Sequence, residues 1–440
     1  MSEKFSLVAN DDASHLKILN AEIPSRLHGG VHAAILVLVA SAPASTKLAG
    51  AAWLLVVLVG LWAALRPPIA WPSSHPLVKL SRIWLVVCLA SIALQAAATL
   101  YWEDSWGDLH VLIRLLLSAV AALAIARRLR LRLQQKTALT HALAAACFIA
   151  LGVVYLYGRS TPSGAVSWAA GVSFLVCLMV PIALKSAAKI WQRLVWSLAV
   201  VAGLAAVIFS QSRGSYGLVL WVAVLTGIVG LEHLRKRLTL KKKFHLFDAI
   251  PVAISAAVAT LLTVLFLTFP QLHEIPNKRI QEASNEVRNI VSPDVNTVRA
   301  IDTSVGARLH IWQAALGKIT ESPFLGYGRK ARIEWLHQLG DADNSNTIKS
   351  LDHLHNDPLN IMFDHGMLGL TSYCLLGLGL AWIAIRSQGE NTIFGLRITG
   401  ILWMHLTTGL TNSNFSHNYY GVMLALSLSL TLMLSTKEAD

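Results

Sequence analysis

An all-α polytopic membrane protein is the fold class this sequence predicts, and three observations predict it. Apolar residues make up 55% of the 440 and charged residues only 14%, where a soluble chain carries roughly a quarter charged. The apolar residues gather in runs near the ~20 that a helix needs to cross a bilayer. Between the runs, basic and acidic connections alternate along the chain.

Taken in order, the apolar runs cover 27–44, 48–65, 83–101, 109–126, 137–157, 166–184, 190–210, 215–231, 247–269, 359–385, 393–410 and 415–434, which gives twelve expected spans. The polar, mixed-charge start of the chain has no apolar core followed by a small-residue cleavage site, so a retained tail is expected rather than a removable signal peptide. Arg66, Lys79 and Arg82 follow the second run, and Glu103, Asp104 and Asp108 follow the third. Arg127, Arg128, Arg130, Arg132 and Lys136 follow the fourth; Arg235, Lys236, Arg237, Lys241, Lys242 and Lys243 follow the eighth. Basic connections stay on the cytoplasmic side. Both termini are therefore expected in the cytoplasm, and the turn 210–215 and the long segment 270–356 outside. The expected organisation is residues 1–269 as tail and spans 1–9, 270–356 as one large periplasmic loop domain with short helices, and 357–440 as spans 10–12 with a short cytoplasmic tail.

The formal charge of +13 is explained by this orientation signal and by contact with membrane lipids, so no nucleic-acid partner is implied. Cys88, Cys147, Cys177 and Cys374 all lie in apolar runs, where they neither staple the loop nor offer it metal thiolates. The sequence shows no internal repeat and no glycine-rich phosphate loop, which disfavours a nucleotide-fuelled machine.

Within the loop, Ile280, Ala283, Val287 and Ile290 recur at helical spacing over 277–291 and predict an amphipathic helix closed by Pro293. A second helix is expected over 305–320, with Arg308 and Trp312 four apart on one face. Glu321-Ser322-Pro323 ends it, and Gly326-Tyr327-Gly328-Arg329 forms a turn beyond. The Asp-, Asn- and Ser-rich stretch 340–350 reads as a mobile surface segment able to act as a lid. The chain then returns to the membrane through Asp352-His353-Leu354-His355-Asn356-Asp357.

Chemistry is expected in that cluster and beside two arginines. Arg213 sits next to Gly214 in the short turn Ser210-Gln211-Ser212-Arg213-Gly214-Ser215, as either an interfacial anchor or a phosphate ligand. Two guanidinium groups converging from separate elements, Arg213 and Arg308, could clamp a diphosphate through their planar donor forks. His355 suits a general base acting on a hydroxyl, and neighbouring arginine charge would favour its neutral form. Its duller alternative is a structural histidine at a helix start capped by Asn356 and Asp357. A divalent metal held by Asp352, His353, His355 and Asp357 is a third reading, although the spacing fits no standard zinc pattern. Arg114, Arg193 and Arg397 lie near span ends, from which they can snorkel outward; Arg114 is nearest the external face.

His355-Asn356 followed nine residues later by Gly366-Met367-Leu368-Gly369, after one large external loop late in a twelve-span chain, resembles the O-antigen ligase family. That family shares a superfamily with O-antigen polymerases and protein-specific oligosaccharyltransferases. Ser212-Arg213-Gly214, the pair Arg308 and Trp312, and the stretch 323–328 match further features, so the resemblance covers about 210–369 and fades beyond Gly369. It implies a GT-C-type glycosyltransferase that moves glycan from undecaprenyl pyrophosphate to lipid A-core oligosaccharide at the periplasmic face of the inner membrane. By motif, His355 is the implied base, and Arg213 and Arg308 are the implied diphosphate ligands. Asn356, Ser212, Trp312, Arg329 and Arg114 are expected as lesser substrate contacts, and the reaction needs neither metal nor nucleotide cofactor. The alternatives are an O-antigen polymerase or protein oligosaccharyltransferase using the same donor, and, from another class, a lipid-glycan transporter. A single large external loop favours the ligase over the polymerase, and polar groups gathered on one side disfavour the transporter.

Overall fold

The structure is a computed structural model that describes residues 29–65, 75–129, 131–185, 188–240, 304–387 and 391–435. The expected span 247–269, the amphipathic helix expected over 277–291 and the N-terminal tail lie outside the described residues.

Among the described residues all regular elements are helical. They are α1 (Gly29–Ser41), α2 (Thr46–Ala64), α3 (Pro76–Tyr101), α4 (His110–Arg128), α5 (Leu133–Tyr157), α6 (Ala165–Lys185), α7 (Ile190–Phe209), α8 (Gly217–Leu240), α9 (Ser304–Ile319), α10 (Arg329–Ala342), α11 (Asn346–Lys349), α12 (Asp357–Ser387), α13 (Thr392–Gly409) and α14 (Asn418–Ser435). Helices dominate because a bilayer offers no water to backbone groups, which must be satisfied within each segment.

Nine helices among the described residues are long and apolar enough to cross a membrane, fewer than the twelve spans expected. Besides the undescribed 247–269, two expected spans differ. The first is only the 13-residue α1, continued by a 3-10 turn over Ala42–Ala44. The span expected over 393–410 is α13, which has the length but carries buried Arg397 and His405 where it packs against α6, α12 and α14.

Small residues set the helix spacing. Gly60 of α2 abuts Ala121 of α4, and Gly400 of α13 abuts Cys177 of α6 and Trp221 of α8, so a methyl group there would push the helices apart. Polar side chains add a clasp inside the bundle: Gln95 Nε2 of α3 donates to Ser372 Oγ of α12 (3.1 Å), and Ser372 Oγ donates to Ser91 O (3.0 Å).

The bundle has two distinct ends. At one, Arg128 bonds Ala64 O and His32 bonds Gln135 O, which brings the end of α2 to the end of α4 and the start of α1 to the start of α5. At the other, Trp102 Nε1 donates to Leu325 O (2.9 Å) and Arg329 N to the Asp104 carboxylate (2.7 Å), which seats the unit 304–356 on this end as a cap.

The cap has its own small core. Ala307, Ile311, Ala315 and Ile319, spaced every four residues along α9, bury one face against Leu336, Ile348, Leu354 and Phe363. The segment 340–350, expected as a mobile lid, is instead packed. Ser345 Oγ caps α11 by accepting from Ile348 N (3.2 Å), Ser345 N bonds Gly340 O (2.9 Å), and Ile348 is fully buried. Part of its polar composition thus serves helix capping.

The cap also interlocks with a broken helix. At Gly366 (φ 59°, ψ −149°) α12 leaves helical geometry, a region open essentially to glycine alone. Tyr327 N and Gly328 N then donate to Phe363 O and Asp364 O (2.8 and 2.9 Å), while Met367 N donates to Pro323 O (2.8 Å). Gly326, itself at φ 67°, lies against Gly366 closely enough that neither position has room for a side chain. The motifs at 323–328 and 366–369 are therefore two halves of one joint.

Candidate functional site

His355 lies between the cap and the start of α12. Trp312 Nε1 of α9 donates to Leu354 O (2.6 Å), and Leu354 N donates to Asn360 Oδ1 of α12 (3.1 Å), so the residue before His355 is held from both sides. Asn356 Oδ1 accepts from Leu359 N (3.0 Å) as the N-cap of α12, and its Nδ2 donates to Leu410 O (3.1 Å). The expected cap is thus present one residue after the histidine. His355 itself is left-handed at φ 53°, a conformation costing a non-glycine residue roughly 1–2 kcal/mol. Such strain persists where surrounding contacts enforce it and gathers at functional positions.

Hydrogen bonds running back to α13 fix the tautomer of this imidazole. Thr408 Oγ1 donates to Met404 O (2.6 Å), Asn414 Nδ2 to Thr408 Oγ1 (2.8 Å), and Asn412 Nδ2 to Asn414 Oδ1 (3.0 Å). Asn412 Oδ1 is therefore the atom turned toward His355 Nδ1, at 3.4 Å. A proton on Nδ1 satisfies that acceptor, and the lone pair is left on Nε2.

Electrostatics keeps the ring neutral. Burial first, then electrostatic repulsion from the neighbouring His353 and Arg308, push the His355 imidazole down to about 3, with the Asn412 bond acting the other way. Arg308 thus acts on His355 from α9, the helix whose Trp312 orients the same segment. The ring of His353 lies tilted at 49° to that of His355, 4.2 Å away between centroids, and meets His417 edge-on at 5.6 Å. His417 is also held down, to about 4, chiefly by burial. Asp352, 3.0 Å from His353 Nδ1, is held well below the usual carboxylate range by that contact.

The Arg213 turn reaches the same place from another direction. Gly214 presses on Thr411 and the backbone of Thr408, the segment that carries Asn412. Ser212 is buried with its hydroxyl 3.2 Å from Ser215 Oγ, so it shapes the turn, whereas Arg213 is exposed. Arg114 Nη2 of α4 donates to Asn418 Oδ1 (3.2 Å), one residue beyond His417.

Other expected residues have different settings. Arg329 pairs with Asp108, which ties α10 to the 101–110 turn. Asp357 Oδ1 accepts from Phe415 N (3.0 Å), away from Asp352, and among the described residues no three histidine, cysteine or carboxylate side chains converge as for a metal. Arg397 does not snorkel: it is 2% exposed, and its Nε donates to Leu178 O (2.9 Å). Arg193 bonds Ala183 O and Leu184 O at the end of α6.

Sequence reasoning missed Asn412, His417, Arg332, Asn360 and Asp364. Arg332 Nε pairs with Asp364 Oδ1 (2.7 Å) inside the protein, and its Nη1 bonds Asp352 O, which anchors the segment leading to His355. One signal was available, since Asp364 is a carboxylate inside an apolar run, a placement that marks a pair or a function.

Residues 197–374 match the family described as O-Antigen ligase. The match includes Arg213, Arg308, Trp312, His355 and the joint at Gly366, and excludes Arg114, Asn412 and His417. A relative from Haemophilus influenzae, described as an uncharacterized protein, is 26% identical over 178 residues. That alignment covers 38% of this chain and 44% of the relative, so the chain spans less than half the length of that relative.

Proposed function

We propose that this chain, a multi-pass membrane protein that belongs to the O-antigen ligase family through residues 197–374, transfers glycan from undecaprenyl pyrophosphate to lipid A-core oligosaccharide. The reaction takes place at the periplasmic face of the inner membrane, with both chain ends in the cytoplasm. The observation that carries this reading is the bond chain from Met404 to Asn412, which leaves His355 Nε2 as a proton acceptor beside the charge of Arg308.

His355 Nε2 takes the proton from the acceptor sugar hydroxyl as that oxygen attacks the anomeric carbon and the lipid diphosphate leaves from the opposite face. The result is one displacement with inversion, without a covalent glycosyl intermediate. Arg213 and Arg308 bind the diphosphate and stabilise the charge growing on it. An imidazole held near 3 is by itself a weak base. A bound diphosphate raises it toward the working pH, so the base gains strength when donor is present. Trp312, Asn356 and Ser212 position the reacting groups, and neither nucleotide nor metal is a reactant.

Purified protein given lipid-linked glycan and lipid A-core tests this by gel mobility. The expected product is lipid A-core retarded by one glycan. Glycan lengthening on the lipid carrier without lipid A-core would mark a polymerase, and movement of lipid-linked glycan between leaflets without transfer would mark a transporter.

A further inference from the structure

The end of the bundle opposite His355 contains a second constellation. A cavity of about 940 Å³ opens there between the N-terminal turns of α5, α7 and α13 and the last turn of α14. Lys136, Lys189, His141 and Arg397 contribute to its lining, and the lining includes no aspartate or glutamate. Three helix N-termini meeting at one place add positive dipole ends to these cations.

Donors in this wall are left over. Arg397 and Trp196 are each 2% exposed, and among the described residues Arg397 Nη2 and Trp196 Nε1 have no hydrogen-bond partner. His141 Nδ1 donates to Thr137 O (2.8 Å), which makes the ring part of the wall rather than a further donor. Part of Arg397 is explained by the bundle itself, since its Nε bonds Leu178 O close to the helix-interior Pro181. Its Nη2 is not, and a buried charge without a counter-ion is strongly unfavourable.

We propose that this cavity binds the phosphate of an anionic lipid in the leaflet opposite His355. Arg397 and Trp196 donate to the phosphate oxygens, and Lys136 and Lys189 add charge at the rim. A lipid fits better than free phosphate because Ile182, Ile393, Leu434 and half-exposed Trp191 also line the opening, and tryptophan at a bundle end favours the headgroup level. The site is distinct from the candidate active site. Arg397 and Gly409 are separated by twelve residues of α13, roughly 18 Å along a helix.

Full-length protein in a neutral detergent, titrated with phosphatidylglycerol and followed by native mass spectrometry and thermal unfolding, tests the proposal. Phosphatidylglycerol should bind and raise the unfolding temperature, whereas diacylglycerol with the same chains should do neither. Arg397→Gln should weaken phosphatidylglycerol about tenfold or more, as expected for a lost charge-assisted bond. Lys189→Gln, at an exposed position, should weaken it less while folding normally, which keeps the test valid if Arg397→Gln is unstable. Equal affinity in wild type and both variants overturns the proposal. Inorganic phosphate binding as tightly as phosphatidylglycerol overturns its lipid half. Stabilisation that depends on Glu438 and Asp440 but not on lipid would mean that the chain's own C-terminal carboxylates fill the cavity, which also overturns it.

Discussion

The cap uses its polar residues in two contrasting ways. From Pro323 to Arg332 they serve the protein: amides of Tyr327 and Gly328 satisfy the broken helix, Arg329 holds Asp108, and Arg332 holds Asp364 and Asp352 O. Around His355 the backbone is left-handed, and among the described residues the ring's one hydrogen bond is to Asn412, on Nδ1. The braced region thus enforces a strained conformation in its neighbour, and the proposed base is the residue left with a free lone pair. Two arginines near each other in sequence, Arg308 and Arg332, differ for the same reason: one acts on the imidazole, and the other ties down the chain that carries it.

The largest way to break this contrast is through the brace. Arg332→Ala strands the Asp364 carboxylate inside the protein and should cost ~3–5 kcal/mol of stability. Denaturant or thermal unfolding in detergent measures this, with yield and transfer falling together. Replacing both partners with apolar residues, Arg332→Met with Asp364→Leu, should restore much of the stability. The anchor on Asp352 O stays missing, so transfer should remain low.

Next in size is the chain that sets the tautomer. Asn412→Leu removes the acceptor at Nδ1, and losing one such orienting bond should lower turnover about tenfold, equivalent to ~1.4 kcal/mol. Steady-state transfer assays on folded protein should show the loss mainly in kcat, since Asn412 is not assigned a substrate contact.

A pH series separates the two regions without mutation. His355 and His417 are held at about 3 and about 4 in the folded protein, whereas an unfolded histidine titrates near 6.5. The unfolded chain therefore binds more protons between those values, so stability is complete above about 6.5 and falls as pH drops toward 4. Unfolding midpoints should decline over that window. Initial rates at low donor concentration, corrected for folded fraction, should show no loss of base function at pH 6.5.

How much of this the sequence discloses depends on the range of the interaction. Hydrophobic runs locate the described helices of the bundle but not α10 or α11 of the cap, because membrane burial acts on single segments. Arg308 and Trp312 are legible as a pair because one helix turn joins them. The contacts of Asn412 and His417 with the His355 segment bridge dozens of residues, and no local pattern encodes them. The packed turn at 340–350 reads as a lid because Asp, Asn and Ser suit mobile loops and helix caps alike. Arg329 reads as a ligand for a similar reason, since its partner Asp108 lies far earlier in the chain.

The smallest expected effect follows from that pair. Arg329→Ala removes a half-exposed ion pair, worth about 0–1 kcal/mol at such a site, and should leave transfer close to wild type. A large loss of transfer with stability unchanged would move Arg329 from the brace to the reacting site.

The central claim is that His355 is the base that accepts the hydroxyl proton. The direct measurement is single-turnover transfer from lipid-linked glycan to lipid A-core by purified His355→Ala, with its unfolding temperature checked against wild type. The account predicts normal folding and a rate loss of ~10²–10⁴. It also predicts comparable losses in Arg213→Ala and Arg308→Ala that lysine rescues poorly, because a point charge does not reproduce the two-pronged guanidinium contact. Near-normal single-turnover rates in His355→Ala at neutral pH would contradict the account and leave His355 as a structural residue at the start of α12.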